Sequence, residues 1–112
     1  MDILFRTSKF RKRCNSSVDA TKEWGPEMAK RLMQRLDELR DADTLAHLAS
    51  LPQARCHELV ADREGQLSVD LKHPYRLIFE PADNPIPCKP DGGLDWARVT
   101  AVRVLEVTDT HG

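Results

Sequence analysis

Two short runs with a two-residue hydrophobic period constrain the fold of this chain more than any other feature. In the run 66–71, Leu67, Val69 and Leu71 alternate with polar residues, and a second alternating run, YRLIFE, occupies 75–80. Such alternation places successive side chains on opposite faces of a β-strand. Three residues that end in a proline separate the runs, so the pattern predicts two strands joined by a tight turn.

Further strands are predicted on both sides of this pair. The segment 56–60 also alternates and leads through a turn at 62–65, so that three strands form a meander. The segment 99–107 (VTAVRVLEV) is almost continuously apolar, which is typical of a central strand. We expect this last strand to pair with the meander and with a first strand at 3–5, because an exposed apolar edge would invite aggregation.

The helices are predicted between the first strand and the meander. Apolar residues at helical spacing indicate one helix over 26–42 and a second over 44–50, which Pro52 ends. Ser8 is a candidate cap for a shorter helix that runs to Cys14, whereas 15–24 is polar and shows no clear period. This order of elements predicts a single α+β domain over 1–112, with helices on one face of an antiparallel sheet.

Composition excludes several classes of protein. No apolar run approaches the roughly 20 residues that cross a bilayer, and the N-terminus lacks the order of a secretory signal, so we expect a cytoplasmic protein. The three cysteines are widely spaced and include no CxxC pair, and no nucleotide-binding loop is present, so neither a metal nor a cofactor is expected. The segment 81–95 holds four prolines and predicts an exposed irregular loop.

Arg76 and His57 are candidate functional residues within the predicted meander. A guanidinium in a strand interior between apolar neighbours is costly unless it is paired or binds an anion. Asp70, Glu80 and Glu106 are possible partners that would give Arg76 a purely structural role. His57 either faces out over the sheet as a functional residue or is an ordinary boundary histidine.

A second candidate pair follows the last strand. Asp109 and His111 stand two residues apart and therefore share a face, which would bring a carboxylate and an imidazole together. The alternative is a frayed terminus. Arginine and histidine on adjacent strands suit phosphodiester cleavage without a metal, because histidine moves protons near neutral pH and arginine binds phosphate in a bidentate way.

These residues resemble a known family. The stretch RCHELVADREGQLSVDLKHPYRLIFEP and the final EVTDTHG are similar to the RelE/ParE superfamily of bacterial toxins, particularly its HigB branch. The resemblance implies a RelE-like fold, in which an N-terminal strand and helices pack on one face of a twisted antiparallel sheet. It implies a plasmid-maintenance toxin of a type II toxin-antitoxin system that cuts messenger RNA on the ribosome. A helix-turn-helix antitoxin (HigA-like) would neutralise it, and DNA would be bound only through that complex.

The resemblance also implies roles for individual residues. Arg76 would hold the scissile phosphate, and His57, Asp109 and His111 would form the acid/base group for attack by the ribose 2′-hydroxyl. Segment 1–14 carries five basic residues against one acid, although the net charge of the whole chain is only −1. The residues expected to contact RNA or the ribosome are Arg11, Lys12, Arg13, Arg63, Lys72 and His73.

Three departures from the family pattern leave alternatives open. Thr110 replaces a tyrosine, Val60-Ala61 stands where Lys-Gly is common, and the loop 81–95 is longer than usual. The loss of a stacking ring would weaken the hold on a base, since such stacking contributes roughly 1–3 kcal/mol. One alternative is a binding module without nuclease activity, either a ParE-like gyrase inhibitor or a degenerate toxin that still binds an antitoxin. A small unrelated α+β protein is another.

Overall fold

In a computed structural model, which describes residues 1–109, a five-stranded sheet carries four α-helices on one face. One strand, four α-helices and then four strands follow one another along the chain, in the segregated order expected for an α+β domain. They are β1 (Asp2–Phe5), α1 (Ser8–Cys14), α2 (Ser17–Trp24), α3 (Pro26–Asp41), α4 (Leu45–Ala49), β2 (His57–Glu58), β3 (Leu67–Asp70), β4 (Tyr75–Pro81) and β5 (Ala101–Asp109).

The strand order in the sheet is β1-β5-β4-β3-β2. The pairs β2–β3, β3–β4 and β4–β5 are antiparallel, whereas β1 lies parallel to β5 with Ile3 opposite Val102. The predicted pairing of the last strand with both the first strand and the meander is confirmed. The expectation of a wholly antiparallel sheet is wrong for β1, whose direction no local hydrophobic pattern specifies, because the helices separate it from its partner.

The core lies between α3 and the inner face of the sheet. Leu32, Leu36 and Leu39 of α3 are fully buried and belong to the same hydrophobic cluster as Leu77 and Val102 of the sheet. The helices predicted at 26–42 and 44–50 agree with α3 and α4 to within a residue at each end. Within the part of the chain that the structure describes, no helix is both long and apolar enough to cross a membrane.

The predicted short helix that runs to Cys14 is confirmed as α1, but its cap is a different residue. Thr7, and not Ser8, caps α1, because its hydroxyl oxygen accepts a hydrogen bond from the Phe10 amide at 3.1 Å. Helix α2 was not predicted. Among its residues only Ala20 is fully buried, so α2 shows no apolar stripe, and its start is fixed locally by Ser16, whose hydroxyl accepts from the Asp19 amide.

Strand β2 is shorter than the predicted 56–60. Left-handed backbone at Arg55 (φ 48°) and Ala61 (φ 60°) interrupts extended structure on both sides of the two paired residues, and Val60 is 78% exposed. The predicted turn at 62–65 is confirmed, with Gly65 at φ 90°. The remaining meander strands, β3 and β4, agree with the runs that define the hydrophobic pattern.

The proline-rich segment between β4 and β5 is irregular, as predicted, but it is not exposed throughout. The Asp83 carboxylate accepts hydrogen bonds from the Thr100 hydroxyl (2.8 Å) and from the amides of Thr100 and Ala101. Trp96 and Leu94 pack partly buried against the core. The segment is therefore fastened to the start of β5.

Candidate functional site

The candidate site lies on the sheet face away from the helices. Residues that are directly paired across antiparallel strands share a face. Through such pairs, Asp70 and Thr108 flank Arg76 on the outer face, whereas Val69 and Leu77 face the helical core. His57, paired with Ser68 two positions before Asp70, is on the same outer face. The strands β2 to β5 thus bring these side chains together.

Arg76 is the centre of this polar group. Its side chain is only 16% exposed, its Nη1 lies 2.8 Å from His57 Nε2, and its Nε lies 3.5 Å from Asp70 Oδ1. Of the three partners that the sequence offered for Arg76, Asp70 is the one that forms an ion pair with it. Arg76 and His57, predicted to act together, are in direct contact.

The hydrogen bonds of His57 define its protonation. A guanidinium only donates, so the contact from Arg76 requires a lone pair on His57 Nε2. His57 Nδ1 lies 3.1 Å from the carbonyl oxygen of Arg55, which only accepts, so Nδ1 carries the proton. In the tautomer that satisfies both contacts, Nδ1 carries the proton and the lone pair of Nε2 faces the arginine. This is the form that can accept a proton from a substrate hydroxyl.

Asp70 holds a second arginine at the site. Arg55 Nε lies 3.4 Å from Asp70 Oδ2, so one carboxylate faces two guanidinium groups. Two guanidinium groups around one carboxylate leave an excess of positive charge, which favours an anion. A pocket of about 170 Å³ opens beside this cluster and is lined by Arg55, Asp70, Leu71, His73, Pro74, Tyr75 and Arg76.

Arg35 of α3 supports the site from the helix side of the sheet. Its guanidinium donates to the Asp70 carbonyl oxygen (2.7 Å), to the Gln53 carbonyl oxygen (2.8 Å) and to the Glu38 carboxylate (3.0 Å). The Asp70 amide in turn donates a hydrogen bond to the carbonyl oxygen of Ala54 (2.8 Å). Arg35 thus holds the main chain at Gln53 and at Asp70, and this fixes the backbone that carries the Asp70 carboxylate. The sequence analysis did not single out Arg35, although its place three residues after Leu32 and next to Leu36 was a signal of burial.

The predicted RNA contacts are distributed over more than one surface. Lys72 pairs with Glu27, and Arg63 Nη2 lies 3.0 Å from Glu106 Oε1. The Lys72–Glu27 contact lowers the pKa of the Glu27 carboxyl, through a hydrogen bond and through the lysine charge. His73 lines the Arg76 pocket. The other three predicted contacts are in the last turn of α1, which follows β1 at the sheet edge opposite β2: Arg11, Lys12 and Arg13.

The predicted pair at the end of β5 is placed only in part. Asp109 is opposite Tyr75 in the register, whereas Thr108 is opposite Arg76, so Asp109 follows the pleat of the helix-facing residues. Thr110 and His111 lie outside the described residues. Asp70, Arg55 and Tyr75, which sequence reasoning did not assign to the site, all line the pocket.

Cys56 is adjacent to His57 in sequence but does not supply a nucleophile. Burial, followed by the charge of Glu58, raises the pKa of the Cys56 thiol to about 12. The thiol is therefore protonated near neutral pH, and a thiol in that state is a poor nucleophile.

Comparisons with known proteins identify the fold. No protein-family model and no curated protein matches the sequence. Among solved structures, the YoeB/ParE toxin from Agrobacterium tumefaciens matches with a TM-score of 0.58 at 8% identity, covering 97% of this chain and 98% of that one. The YoeB-YefM complex from Staphylococcus aureus matches with a TM-score of 0.56 at 14% identity, covering 96% and 94%. The predicted RelE/ParE-type toxin fold is confirmed.

Proposed function

We propose that this chain is the toxin of a type II toxin-antitoxin pair and that it cuts messenger RNA on the ribosome without a metal. The contact between Arg76 and His57 on the open face of the sheet carries this proposal. It joins a group that binds phosphate to a group that accepts a proton, at 2.8 Å. The shared fold with the YoeB/ParE toxin of Agrobacterium tumefaciens supports a toxin, while the nuclease step depends on the chemistry of the site.

Arg76 is the proposed binding group for the scissile phosphate. Its Nε–Asp70 contact, at 3.5 Å, is longer than a hydrogen bond, so an incoming phosphate can compete for the guanidinium. Arg55, which is 72% exposed and pairs with the same carboxylate, supplies a second cation at the pocket. Two guanidinium groups stabilise the negative charge on the non-bridging phosphate oxygens in the transition state.

His57 is the proposed general base. When phosphate takes the Nη1 donor of Arg76, His57 Nε2 is released with its lone pair and accepts the proton of the adjacent ribose 2′-hydroxyl. The 2′ oxygen then forms a bond to phosphorus and the bond from phosphorus to the 5′ oxygen breaks. The products are a 2′,3′-cyclic phosphate and a 5′-hydroxyl, whose oxygen receives a proton from an acid. From the family resemblance we propose Asp109 and His111 for that acid group.

The proposed partners follow from the fold neighbours and from the family resemblance. In the fold neighbour from Staphylococcus aureus, YoeB is found in a complex with YefM. We propose that a helix-turn-helix antitoxin of the HigA-like type binds this chain, and that messenger and ribosome are its RNA partners. The proposed RNA and ribosome contacts remain Arg11, Lys12, Arg13, Arg63, Lys72 and His73.

Induction of the chain in a bacterial host tests the toxin role. The proposal predicts growth arrest that is relieved by co-expression of the cognate antitoxin and is lost in Arg76→Ala. Arg31→Ala, at an exposed position of α3, is the matched control and retains toxicity. Arrest of equal strength in the Arg76→Ala strain would remove Arg76 from the mechanism.

A non-nuclease binding module is the competing proposal, and the sequence departures at Val60-Ala61 and Thr110 favour it. A gyrase inhibitor on this fold would arrest growth with DNA damage and intact messengers. A degenerate toxin would bind its antitoxin without arresting growth. Mapping of messenger ends and of DNA breaks in the same induced culture separates these outcomes.

A further inference from the structure

A second cavity opens beside the Arg76 pocket and has a different chemical character. It measures about 490 Å³ and lies between the start of α3 and the turn that joins β3 to β4. We call it the Trp24–Tyr75 groove, after the two aromatic residues among those that line it. Its polar lining includes Glu27, Lys72 and His73. The volume falls in the range of roughly 300–1,000 Å³ that is common for small-ligand sites.

The two aromatic side chains contribute to the groove in different ways. Tyr75 is 43% exposed although it opens a strand, so much of its ring is available to a ligand. Trp24 packs edge-on against Phe10, with ring centroids 6.2 Å apart and planes at 88°, and Phe10 packs in turn against Phe5. The indole is thus fixed from behind while it lines the groove. Rigid, partly exposed rings are the surfaces on which nucleic-acid bases stack.

The groove adjoins the Arg76 pocket. His73 and Tyr75 line both cavities. A ligand that spans them needs a phosphate at one end, for the two guanidinium groups, and a flat, largely apolar group at the other end. A nucleotide has this composition.

We infer that the Trp24–Tyr75 groove binds the base of the nucleotide next to the phosphate held by Arg76, with the base stacked on Tyr75. The inference rests on the proposed function and assigns its substrate subsite. Lys72, which pairs with Glu27 across the groove, is placed to exchange that carboxylate for the next phosphate of the strand. Both partners of this ion pair are more than half exposed, and ion pairs of that kind are weak and readily exchanged.

Tryptophan fluorescence provides a test that does not depend on cleavage. The chain has two tryptophans, so the Trp96→Phe variant leaves Trp24 as its one indole reporter. The probe is a three-nucleotide RNA with 2′-O-methyl groups, which lacks the attacking hydroxyl and is not cut. The inference predicts saturable quenching of Trp24 on titration. It predicts no saturable quenching with the same probe in which the base next to the central phosphate is replaced by an abasic unit.

Substitution of Tyr75 in the Trp96→Phe background separates stacking from general damage. Tyr75→Leu removes the ring and is expected to weaken binding of the probe by about 5- to 100-fold, whereas Tyr75→Phe keeps the ring and should bind within about twofold. Ile86→Ala, at an exposed apolar position of the loop between β4 and β5, is the matched control and is expected to bind normally. Thermal unfolding of each variant verifies that the fold is retained.

The possible outcomes separate the groove from the nuclease. Quenching that depends on Tyr75, with no cleavage of a translated messenger by the unmodified chain, supports the groove and removes the nuclease. Cleavage that is unchanged in Tyr75→Leu, with equal binding of the probe by Tyr75→Leu and Tyr75→Phe, removes the groove and leaves the nuclease. Absence of saturable quenching up to about 1 mM probe, the weak end of specific binding, overturns the inference whatever the cleavage assay shows.

Discussion

Two arginines on opposite sides of the sheet differ in what their guanidinium groups contact. Arg35, on the helix side, is 2% exposed and makes hydrogen bonds of 2.7 to 3.0 Å to two carbonyl oxygens and one carboxylate. Arg76, on the open side, is 16% exposed and pairs with its carboxylate at 3.5 Å. The first guanidinium has partners that a ligand cannot reach, while the second borders a pocket.

Asp70 connects the two arginines. Its backbone carbonyl oxygen accepts from Arg35, and its side-chain carboxylate faces Arg76 and Arg55. One residue therefore belongs to the core through its main chain and to the site through its side chain. The two sides of the sheet should respond differently to substitution, and that difference can be measured.

The largest expected effect on stability is that of Arg35→Met. The substitution removes the donor to the carbonyl oxygens of Gln53 and Asp70 and the ion pair with Glu38, so we expect a loss of about 3–5 kcal/mol in the free energy of unfolding. Urea unfolding measures it. Arg31→Met, on the exposed side of α3, is the matched control and should stay within about 0.5 kcal/mol of the parent. Equal stability of the two variants would mean that Arg35 does not fasten the sheet to α3.

Arg76→Ala should have the opposite effect, a large loss of cleavage rate with little change in the free energy of unfolding. We expect cleavage of ribosome-bound messenger to slow by about 10²- to 10³-fold, because a charged donor to the transition state is lost. The free energy of unfolding should change by no more than about 1 kcal/mol, since the side chain lies at a solvent-accessible pocket. Single-turnover cleavage and urea unfolding on the same preparations measure both. A large loss of stability with little loss of rate would make Arg76 a structural residue.

Asp70→Asn tests the connection between the two sides. The substitution keeps the carbonyl oxygen that Arg35 binds, so the free energy of unfolding should fall by only about 1 kcal/mol. The carboxylate that orients Arg76 and Arg55 is lost, so we expect cleavage to slow by about tenfold through kcat, with KM little changed. An increase in KM alone would indicate that Asp70 acts in binding and does not position the arginines.

The smallest expected effect is away from both arginines, at Asp83. Burial raises the pKa of this carboxyl, but the hydrogen bonds from Thr100 and Ala101 outweigh burial and lower it overall. A lowered pKa in the folded state stabilises the protein at pH values above about 4, the ordinary range for an aspartate, and this contribution is lost as the pH falls through the folded value. Asp83→Asn should reduce stability at neutral pH by about 1 kcal/mol and flatten the acid limb of the stability profile. An unchanged acid limb would contradict this role.

The helices and strands that could be predicted from the sequence are those whose hydrophobic pattern indicates a buried face. The α3 helix and strands β3 and β4 each present an apolar period, and the structure contains them almost at the predicted bounds. Helix α2 was not predicted because its start depends on the local cap at Ser16, and it has only one fully buried residue. The ends of β2 were wrong because left-handed backbone at Arg55 and Ala61 leaves no hydrophobic signature.

The site was predictable only where a residue type was unusual for its place. Arg76 was chosen as a candidate because a guanidinium within an apolar strand needs a partner, and His57 was given a role through the family resemblance. Asp70 and Tyr75 were not assigned to the site, because each is an ordinary residue for a strand end or a strand start. Their roles follow from cross-strand register, which brings residues of different strands side by side and which no local period contains.

The most direct test of the proposed chemistry is the mapping of messenger 5′ ends in a reconstituted translation reaction. The account predicts new ends within the codon of the ribosomal A site, with a 5′-hydroxyl downstream and a 2′,3′-cyclic phosphate upstream of each cut. These ends should disappear in Arg76→Ala and in His57→Ala and persist in Arg31→Ala. Intact messengers in the presence of the folded chain, or cuts that both site variants still make, would contradict it.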